Sequence, residues 1–270
     1  MESILVDISS PSRVAQAIED NTVAYWASHC GPAGVEMRRQ ADRLWIRSGQ
    51  SCTITNCIMW TDFPTEEADR RIEEVLDLFR PQRLPLIWWI GPSTRPADLG
   101  ARLLAHGLRC GGEEPGMAVE LSRLPLDEPR PAGLSIVPVE RALALRRWVG
   151  AYVAGFGMPA HWRRALLDWE AGRGEEGATR RHYLGLLWGR AVATAQLVLG
   201  GGVAGLYGLS TIPRARGRGI GRAMTLFAMQ QGQALGYRVG VLYAAEMGRP
   251  LYRRLGFREY IVARDYVWEE

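Results

Sequence analysis

The 270-residue chain contains no lysine, so all 33 of its basic residues are arginine. A Walker A phosphate loop needs a lysine before its serine or threonine, and this class of nucleotide site is therefore excluded. Long apolar runs are also missing. The longest, such as residues 84–90 and 183–188, fall far below the roughly twenty residues of a membrane span. We therefore expect no membrane partner.

Metal-binding and disulfide patterns are absent too. None of the four cysteines forms a Cys-x-x-Cys pair, and the four histidines are scattered, so we expect no metal site. The cysteines are Cys30, Cys52, Cys57 and Cys110, and we expect all of them to be buried free thiols. The start of the chain lacks the basic and apolar segments of a secretory signal, which favours a cytoplasmic location.

Length and composition favour two domains of ordinary globular character. A chain of 270 residues is long for one domain and sufficient for two. Residues 124–133 hold three prolines and a charge pair, as a linker would. We therefore predict one domain over residues 1–123 and another over 134–270. Strands and helices alternate in both, which predicts a mixed α/β fold.

The most informative stretch is a strand followed by a turn rich in arginine and glycine and then a helix. Residues 203–212 read as a strand, and Ile220, Ala223, Met224 and Phe227 recur at helical spacing. Glycines let the backbone of the turn approach a ligand, and the first amides of a helix have no intrahelical acceptor. This turn, residues 216–222, predicts an anion-binding cradle.

The spacing of the glycines decides between phosphate-binding families. A dinucleotide fingerprint requires Gly-x-Gly-x-x-Gly and an acid about twenty residues later, which this chain does not supply. Residues 216–221, Arg-Gly-Arg-Gly-Ile-Gly, instead match the pattern Gln/Arg-x-x-Gly-x-Gly/Ala. In this motif the chain resembles the GNAT superfamily of acyl-CoA-dependent N-acyltransferases.

A second motif strengthens the resemblance. Residues 249–257, Arg-Pro-Leu-Tyr-Arg-Arg-Leu-Gly-Phe, resemble the family's Leu-Tyr-x-x-x-Gly-Phe signature. Pro250 suits the first turn of a helix and Gly256 suits its left-handed end. Position 245 is alanine where family members usually have an asparagine, which removes one accessory contact to coenzyme A.

The resemblance implies an acetyl-CoA site and a catalytic residue. The strand would hold the pantetheine arm through its backbone and the cradle would wrap the pyrophosphate. The implied cofactor-binding residues are Ser210, Thr211, Ile212, Arg216, Gly217, Arg218, Gly219, Ile220, Gly221 and Arg222. Tyr252 would be the general acid toward the departing thiolate. Either Arg253 and Arg254 lower its pKa, or it hydrogen-bonds the thiolate and gives up its proton late.

The first half repeats the order of elements of the second half. Strand 56–60, helix 66–79, strand 86–90, helix 96–105 and a last strand at 117–121 follow one another. The turn at residues 61–67 has no glycine and carries Asp62, Glu66 and Glu67 where phosphate would lie. We therefore predict two tandem GNAT-like lobes, of which the N-terminal one is degenerate and repels coenzyme A.

The residues do not identify the general base or the acceptor. Glu246, Tyr207, Tyr243 and His182 are candidates for the base. The wall for the amine is expected from residues 152–169 and the loop after them, with Phe156, Trp162 and Trp169 as possible lining or core residues.

Three functions remain open. The favoured one is acetyl transfer to a small amine or a peptide N-terminus. A non-catalytic acyl-CoA sensor would need the cradle and not Tyr252. A nucleic-acid-binding module using Arg214–Arg222 is disfavoured, because no aromatic platform interleaves with the arginines and the net charge is only +4. The oligomeric state is open, and a monomer with two related lobes is compatible with the sequence.

Overall fold

The computed structural model describes residues 3–29, 35–125, 127–172 and 179–269. Within these ranges it has the predicted mixed α/β fold, with helices on both faces of one large sheet. The helices are α1 Pro11–Ala27, α2 Ala68–Leu76, α3 Leu99–Ala105, α4 Ala142–Phe156, α5 Arg163–Ala171, α6 Ile220–Ala234 and α7 Arg249–Arg254. None of the described helices is long and apolar enough to cross a membrane.

The strands of the described ranges are β1 Glu36–Arg39, β2 Arg43–Arg47, β3 Asn56–Thr61, β4 Leu86–Ile90, β5 Arg109–Glu120, β6 Leu134–Pro138, β7 Thr179–Leu187, β8 Arg190–Gly200, β9 Val203–Thr211, β10 Val239–Tyr243 and β11 Arg258–Trp268. They form one sheet in the order β1-β2-β3-β4-β11-β5-β10-β9-β8-β7-β6. Only β3 with β4 and β9 with β10 are parallel neighbours among these strands.

Most of the predicted elements lie where the apolar pattern places them. A 3-10 turn at Thr65–Glu67 precedes α2, and Glu67 is the N-cap residue of that helix. The hairpin turn between β7 and β8 sits at Trp188 and Gly189, both with positive φ. β7 begins at Thr179, and residues 173–178 before it lie outside the described ranges.

The prediction of buried free thiols is partly wrong. Cys52 and Cys57 are free and buried, whereas Cys110 is free and exposed on β5. Cys30 lies outside the described residues.

The last strands of the two halves are exchanged within the sheet. β5, which closes the first half, pairs along β10 of the second half. β11, which ends the chain, lies between β4 and β5 and pairs with both. The cores follow the same exchange, since Met117 and Val119 of β5 are buried with α6 while Tyr266 and Trp268 of β11 are buried with α2 and α3.

Both halves contain the same order of elements around their parallel pair. β3, α2, β4, α3 and β5 in the first half correspond to β9, α6, β10, α7 and β11 in the second. The division into two lobes at residues 124–133 remains a prediction, because the exchanged strands make the halves share one continuous sheet.

The exchange predicts that residues 133–270 do not fold alone as a monomer. This fragment would leave β10 without β5, deprive β11 of both neighbours and remove four buried side chains, Met117, Val119, Leu121 and Leu124, from the core around α6. Each lost core side chain costs roughly 2–5 kcal/mol, against a total stability of about 5–15 kcal/mol.

Circular dichroism during thermal unfolding, together with size-exclusion chromatography, checks this expectation against the full chain. We expect the fragment to show no cooperative transition or to associate through its open strands. A monomeric fragment with a sharp transition would contradict the importance of the exchange.

Candidate functional site

The site is opened by the separation of two parallel strands. β9 and β10 pair at Ala204, Gly205 and Leu206, which face Gly240, Val241 and Leu242. Beyond this point β9 continues to Thr211 while β10 ends at Tyr243. Among the described residues, the stretch 207–211 therefore has a sheet neighbour on the β8 side alone. Its other edge faces a cavity.

A β-bulge in β9 lies where β9 and β10 separate, and it changes the direction of the side chains that follow. The register with β8 runs from Gln196 opposite Tyr207 to Thr194 opposite Ser210, so β9 holds one extra residue. Gly208 has φ +55, a backbone conformation that favours glycine. After the bulge, the Thr194 hydroxyl donates to the Gly208 carbonyl (2.7 Å) and fixes the altered strand.

The turn after β9 presents free amide donors. Gly217 and Gly219 both have φ +74, and Gly219 is the residue immediately before α6. Among the described residues, no backbone carbonyl accepts from the amides of residues 217–222; the next amide, that of Ala223, donates to the Gly219 carbonyl. Six successive amides without a backbone acceptor, leading into a helix N-terminus, form an anion-binding geometry.

The arginines of the cradle have different surroundings. Arg216 donates to the carbonyls of Thr211 (3.1 Å) and Gly155 (2.8 Å), so it ties the turn to β9 and α4. Arg218 is exposed and borders a cleft of about 480 Å³ under residues 127–131. Arg222 makes a bidentate pair with Glu128 of the predicted linker, at 2.7 Å from each carboxylate oxygen.

A cavity of about 710 Å³ collects most of the predicted site residues. Its lining includes Ser210, Thr211, Arg216, Gly217, Gly219, Ile220, Gly221, Arg222 and Tyr252. Ile212 does not belong to it, because its side chain is buried in the core and its amide donates to the Val192 carbonyl (2.9 Å). Ile212 therefore has no amide donor left for a pantetheine arm, and this residue is a correction to the predicted set.

Tyr252 enters the cavity from α7. Gly248, one turn earlier, leaves room for its ring, because a Cβ there would lie 2.9 Å from the ring of Tyr252. The side chain is 6% exposed and packs edge-on against Phe257. Burial, followed by the negative charge of Glu114, raises the pKa of Tyr252. The phenol is therefore protonated at neutral pH. The prediction that Arg253 and Arg254 lower its pKa is wrong, and Arg253 pairs with Glu259 (2.7 Å).

The first half of the chain forms the far wall of the cavity. Thr22, Tyr25 and Trp26 of α1 line it, together with Trp89 of β4 and Glu114 of β5. The wall was expected from residues 152–169 and the loop after them, of which residues 173–178 lie outside the described ranges. Of residues 152–169, Gly155 and Phe156 line the cavity, whereas Trp169 is buried on the Leu44 and Ile46 core. Trp162 packs against the core around Trp148 instead.

The aromatic rings of this wall are held by one another. Tyr25 stacks on Tyr207 with ring centroids 4.2 Å apart, and Trp89 meets Tyr243 edge-on at 5.0 Å. The Tyr207 hydroxyl donates to Oδ1 of the buried Asn21 (2.9 Å). Asn21 in turn donates to the carbonyl of Gly200 (2.8 Å). The wall is therefore preorganised.

The four candidates for the general base have different surroundings in the structure. Glu246 is exposed and does not line the cavity. His182 contacts the buried Glu170 at 2.8 Å. Tyr207 and Tyr243 do line the cavity, but burial raises the pKa of each, so both are neutral phenols. Glu114 is not among the candidates proposed from sequence. It is a carboxylate on β5, the last strand of the first half, and the strand exchange brings it to this site.

A buried ionic cluster stands behind the aromatic wall. Glu170 of α5 is paired with Arg180 and accepts from Gln196 Nε2 (2.7 Å), while His29 Nε2 lies 3.4 Å away. Burial opposes ionisation of Glu170, but Arg180 and the hydrogen bonds outweigh it and hold its pKa well below the usual range. Burial and the charge of Arg180 lower the pKa of His29 to about 4. The cluster joins α1, α5, β7 and β8.

The corresponding place in the first half is closed. The amide of Arg95 donates to the Thr61 carbonyl (2.9 Å), and the amide of Phe63 donates to the Arg95 carbonyl (3.1 Å). These bonds span the gap after β3, and Phe63 fills it by packing against the buried Trp88. Glu67, one of the acids expected to repel phosphate, is paired with Arg71 (3.0 Å).

The comparisons with known proteins agree with this geometry. Residues 178–259 match the model of the acetyltransferase (GNAT) domain family. Mycothiol acetyltransferase from Frankia casuarinae is 29% identical over 163 residues, which are 54% of this chain and 47% of that protein. The match thus spans about half the length of this curated relative.

Solved structures show the same fold over nearly the whole chain. A GCN5-related N-acetyltransferase from Kribbella flavida superposes with a TM-score of 0.70 at 20% identity, covering 94% of this chain and 95% of that one. A tandem GNAT protein from the clavulanic acid biosynthesis pathway superposes with a TM-score of 0.56 at 15% identity, covering 100% and 98%. The mixed α/β fold predicted from sequence is therefore shared by solved proteins.

The ionic cluster predicts a loss of stability in mild acid. In the unfolded chain His29 binds a proton once the pH falls below about 6.5, the ordinary pKa of histidine, whereas in the folded chain it does so only near pH 4. The free energy of unfolding should therefore fall by roughly 2 kcal/mol between pH 6.5 and 5 on account of His29 alone. Denaturant unfolding at several pH values checks this. In His29→Gln the slope over that interval should be shallower, and an unchanged slope would contradict the assignment.

The pair between Glu128 and Arg222 predicts a second effect. The carboxylate lies beside the cradle, where it opposes the charge of a phosphate. Replacing it in Glu128→Gln should tighten acetyl-CoA binding by at most about fivefold, because an exposed pair of this kind contributes little and is screened by solvent. Calorimetric titration in low and high salt measures the change. Weaker binding in the variant would mean that Glu128 positions Arg222 for the ligand.

Proposed function

We propose that the protein transfers the acetyl group of acetyl-CoA to an amine of a small molecule or a peptide N-terminus. The match of residues 178–259 to the acetyltransferase (GNAT) domain family supports this proposal. The observation that carries this proposal is one continuous cavity. Its lining includes five of the six cradle residues whose amides have no backbone acceptor, together with the hydroxyl-bearing ring of Tyr252.

Binding of acetyl-CoA is assigned to the cradle and the open edge of β9. The amides of residues 217–222 would donate to the pyrophosphate, and Arg222 would add a guanidinium next to them. Residues 207–211 would pair with the pantetheine arm much as a missing strand would. Acetyl-CoA supplies an activated thioester, and the chain supplies the geometry around it.

Tyr252 is assigned to the departing sulfur. Because its pKa is raised, the phenol keeps its proton at neutral pH and donates a hydrogen bond. Full transfer to a thiolate with a pKa near 8.5 is uphill by more than about 2 kcal/mol. The hydroxyl would therefore stabilise the developing negative charge first and give up the proton late.

A non-catalytic acyl-CoA sensor is the second candidate. It would use the cradle in the same way but would not need Tyr252 in the cavity. No observation in the structure favours it over catalysis, and the two functions give different results for the same pair of variants.

The pair is Gly219→Asp and Tyr252→Phe. Gly219→Asp puts a side chain and a negative charge where the pyrophosphate would lie, in a backbone conformation that favours glycine. It should abolish the rise in melting temperature that acetyl-CoA causes in the wild type. Tyr252→Phe should keep that rise but lower kcat on the order of 10²-fold, measured as free thiol released in the presence of amines.

Each outcome separates the candidates. Undiminished acetyl-CoA binding in Gly219→Asp would place the coenzyme site elsewhere. Tight binding with no thiol release in the wild type, over a broad panel of amines, would favour the sensor. Wild-type turnover in Tyr252→Phe would mean that the tyrosine only packs in the cavity.

A further inference from the structure

The cavity extends past Tyr252 into a second compartment of different chemistry. At the cradle end its lining is arginine and glycine, while at the α1 end it is aromatic, with Tyr25, Trp26, Trp89, Phe156, Tyr207 and Tyr243. Glu114 is the only carboxylate among the described residues that line the cavity. The cradle end therefore suits a negatively charged group of a ligand, and the aromatic end with Glu114 suits a positively charged one.

Chain geometry places Glu114 on the α1 side of the sheet. Glu114, Gly116 and Ala118 share one face of β5, because side chains alternate along a strand. Gly116 lies under Ile18 of α1, 3.2 Å from the position of an added Cβ, and Ala118 shares a buried cluster with Ile18. One and two turns further along α1, Thr22 and Tyr25 line the same cavity as Glu114.

No described group compensates the charge of this carboxylate. Its neighbour Glu113 pairs with Arg264 (2.6 Å), whereas Glu114 has no hydrogen-bond donor or ion-pair partner among the described residues. An unpaired carboxylate is costly to bury, and a positively charged ligand would offset that cost. Aromatic faces attract the same kind of ligand.

We propose that the acceptor is a primary amine on an apolar body, bound as its ammonium ion between Glu114 and the aromatic wall, and that Glu114 takes a proton from this ammonium. This proposal rests on the acyl-transfer function proposed above. The first half of the chain would then supply the acceptor site, although its own coenzyme position is closed.

During acetyl transfer, Glu114 first removes one proton from the ammonium and later releases it to water. This leaves a neutral amine with a free electron pair. That pair forms the new N–C bond to the acetyl carbon while the C–S bond breaks, and the nitrogen loses a second proton. The sulfur takes a proton from Tyr252, which is reprotonated by solvent. The net reaction releases one proton per amide formed.

Several ionisable groups face Glu114 and set its environment. They are Asp265 from β11, Tyr243 from β10, Tyr252 from α7 and Tyr152 from α4. Glu19 of α1 acts on Tyr243 and is hydrogen-bonded to Ser93. Burial, followed by the charge of Asp265, raises the pKa of Glu114, which brings it closer to that of a useful base. None of these groups carries a positive charge at neutral pH.

The test measures binding without turnover. Phenethylamine and its neutral counterpart 2-phenylethanol are titrated by calorimetry into protein saturated with CoA, which has no acetyl group to transfer. We expect the wild type to bind the amine at least about tenfold more tightly than the alcohol. Glu114→Gln should bind the two within about threefold of each other. Glu113→Gln is the matched control and should keep the wild-type preference.

Kinetics provides a second, independent readout. With phenethylamine and acetyl-CoA, Glu114→Gln should lower kcat on the order of 10²-fold at pH 7. The loss should shrink as the pH rises toward the pKa of the free amine, because less of the substrate then needs a base. Glu114→Asp, which keeps the charge, should retain the preference for amine over alcohol and covers the case in which the glutamine variant folds poorly.

The outcomes separate this inference from the proposed function. An equal preference for amine in wild type and Glu114→Gln, or no amine binding to the wild type saturated with CoA, would overturn the acceptor site while leaving acetyl-CoA binding intact. Failure of acetyl-CoA itself to bind would overturn the proposed function instead.

Discussion

The separation of β9 from β10 after three residue pairs is the constraint on which the site depends. It leaves one edge of residues 207–211 without a strand neighbour, and backbone groups on such an edge need a partner. The bulge at Gly208 then re-aims the strand toward α4, and the turn that follows delivers six unpaired amides to the same opening. Cavity, strand edge and cradle are thus consequences of one local departure from regular pairing.

The two halves show how little is needed to remove such a site. β3 and β4 also pair in parallel over only two residues, so the first half has the same tendency to open. There, the bonds between residues 61–63 and Arg95 close the gap, and Phe63 occupies it. Backbone hydrogen bonds and a packed ring thus occupy this gap, while Glu67 of the acidic turn is paired with arginine. What the first half contributes instead is the aromatic wall and Glu114.

Much of this could be predicted from local sequence. The glycine-rich turn before α6 and the order of elements in both halves follow from glycine spacing, helical periodicity and turn residues, all of which act over a few positions. Gly256, expected in a left-handed conformation, has φ +91. Tyr252 was identified through the resemblance of residues 249–257 to a family signature. Which residues form the far wall of the cavity could not be read in this way. That wall depends on β5 and β11 changing places, and strand exchange is decided by pairing between residues over a hundred positions apart. Of the two alternatives for Tyr252, a lowered pKa was wrong for a related reason, since adjacent arginines in sequence do not reveal burial or a carboxylate from another strand.

Hydrogen exchange with and without acetyl-CoA tests the central claim that the chain holds one coenzyme site, at the opening of β9 and β10. The account predicts slower exchange of the amides of residues 217–222, which have no backbone acceptor in the free protein, and of the open edge of residues 207–211. It predicts unchanged exchange across residues 61–67, where the equivalent gap is closed. Protection of residues 61–67, or none at residues 217–222, would contradict it.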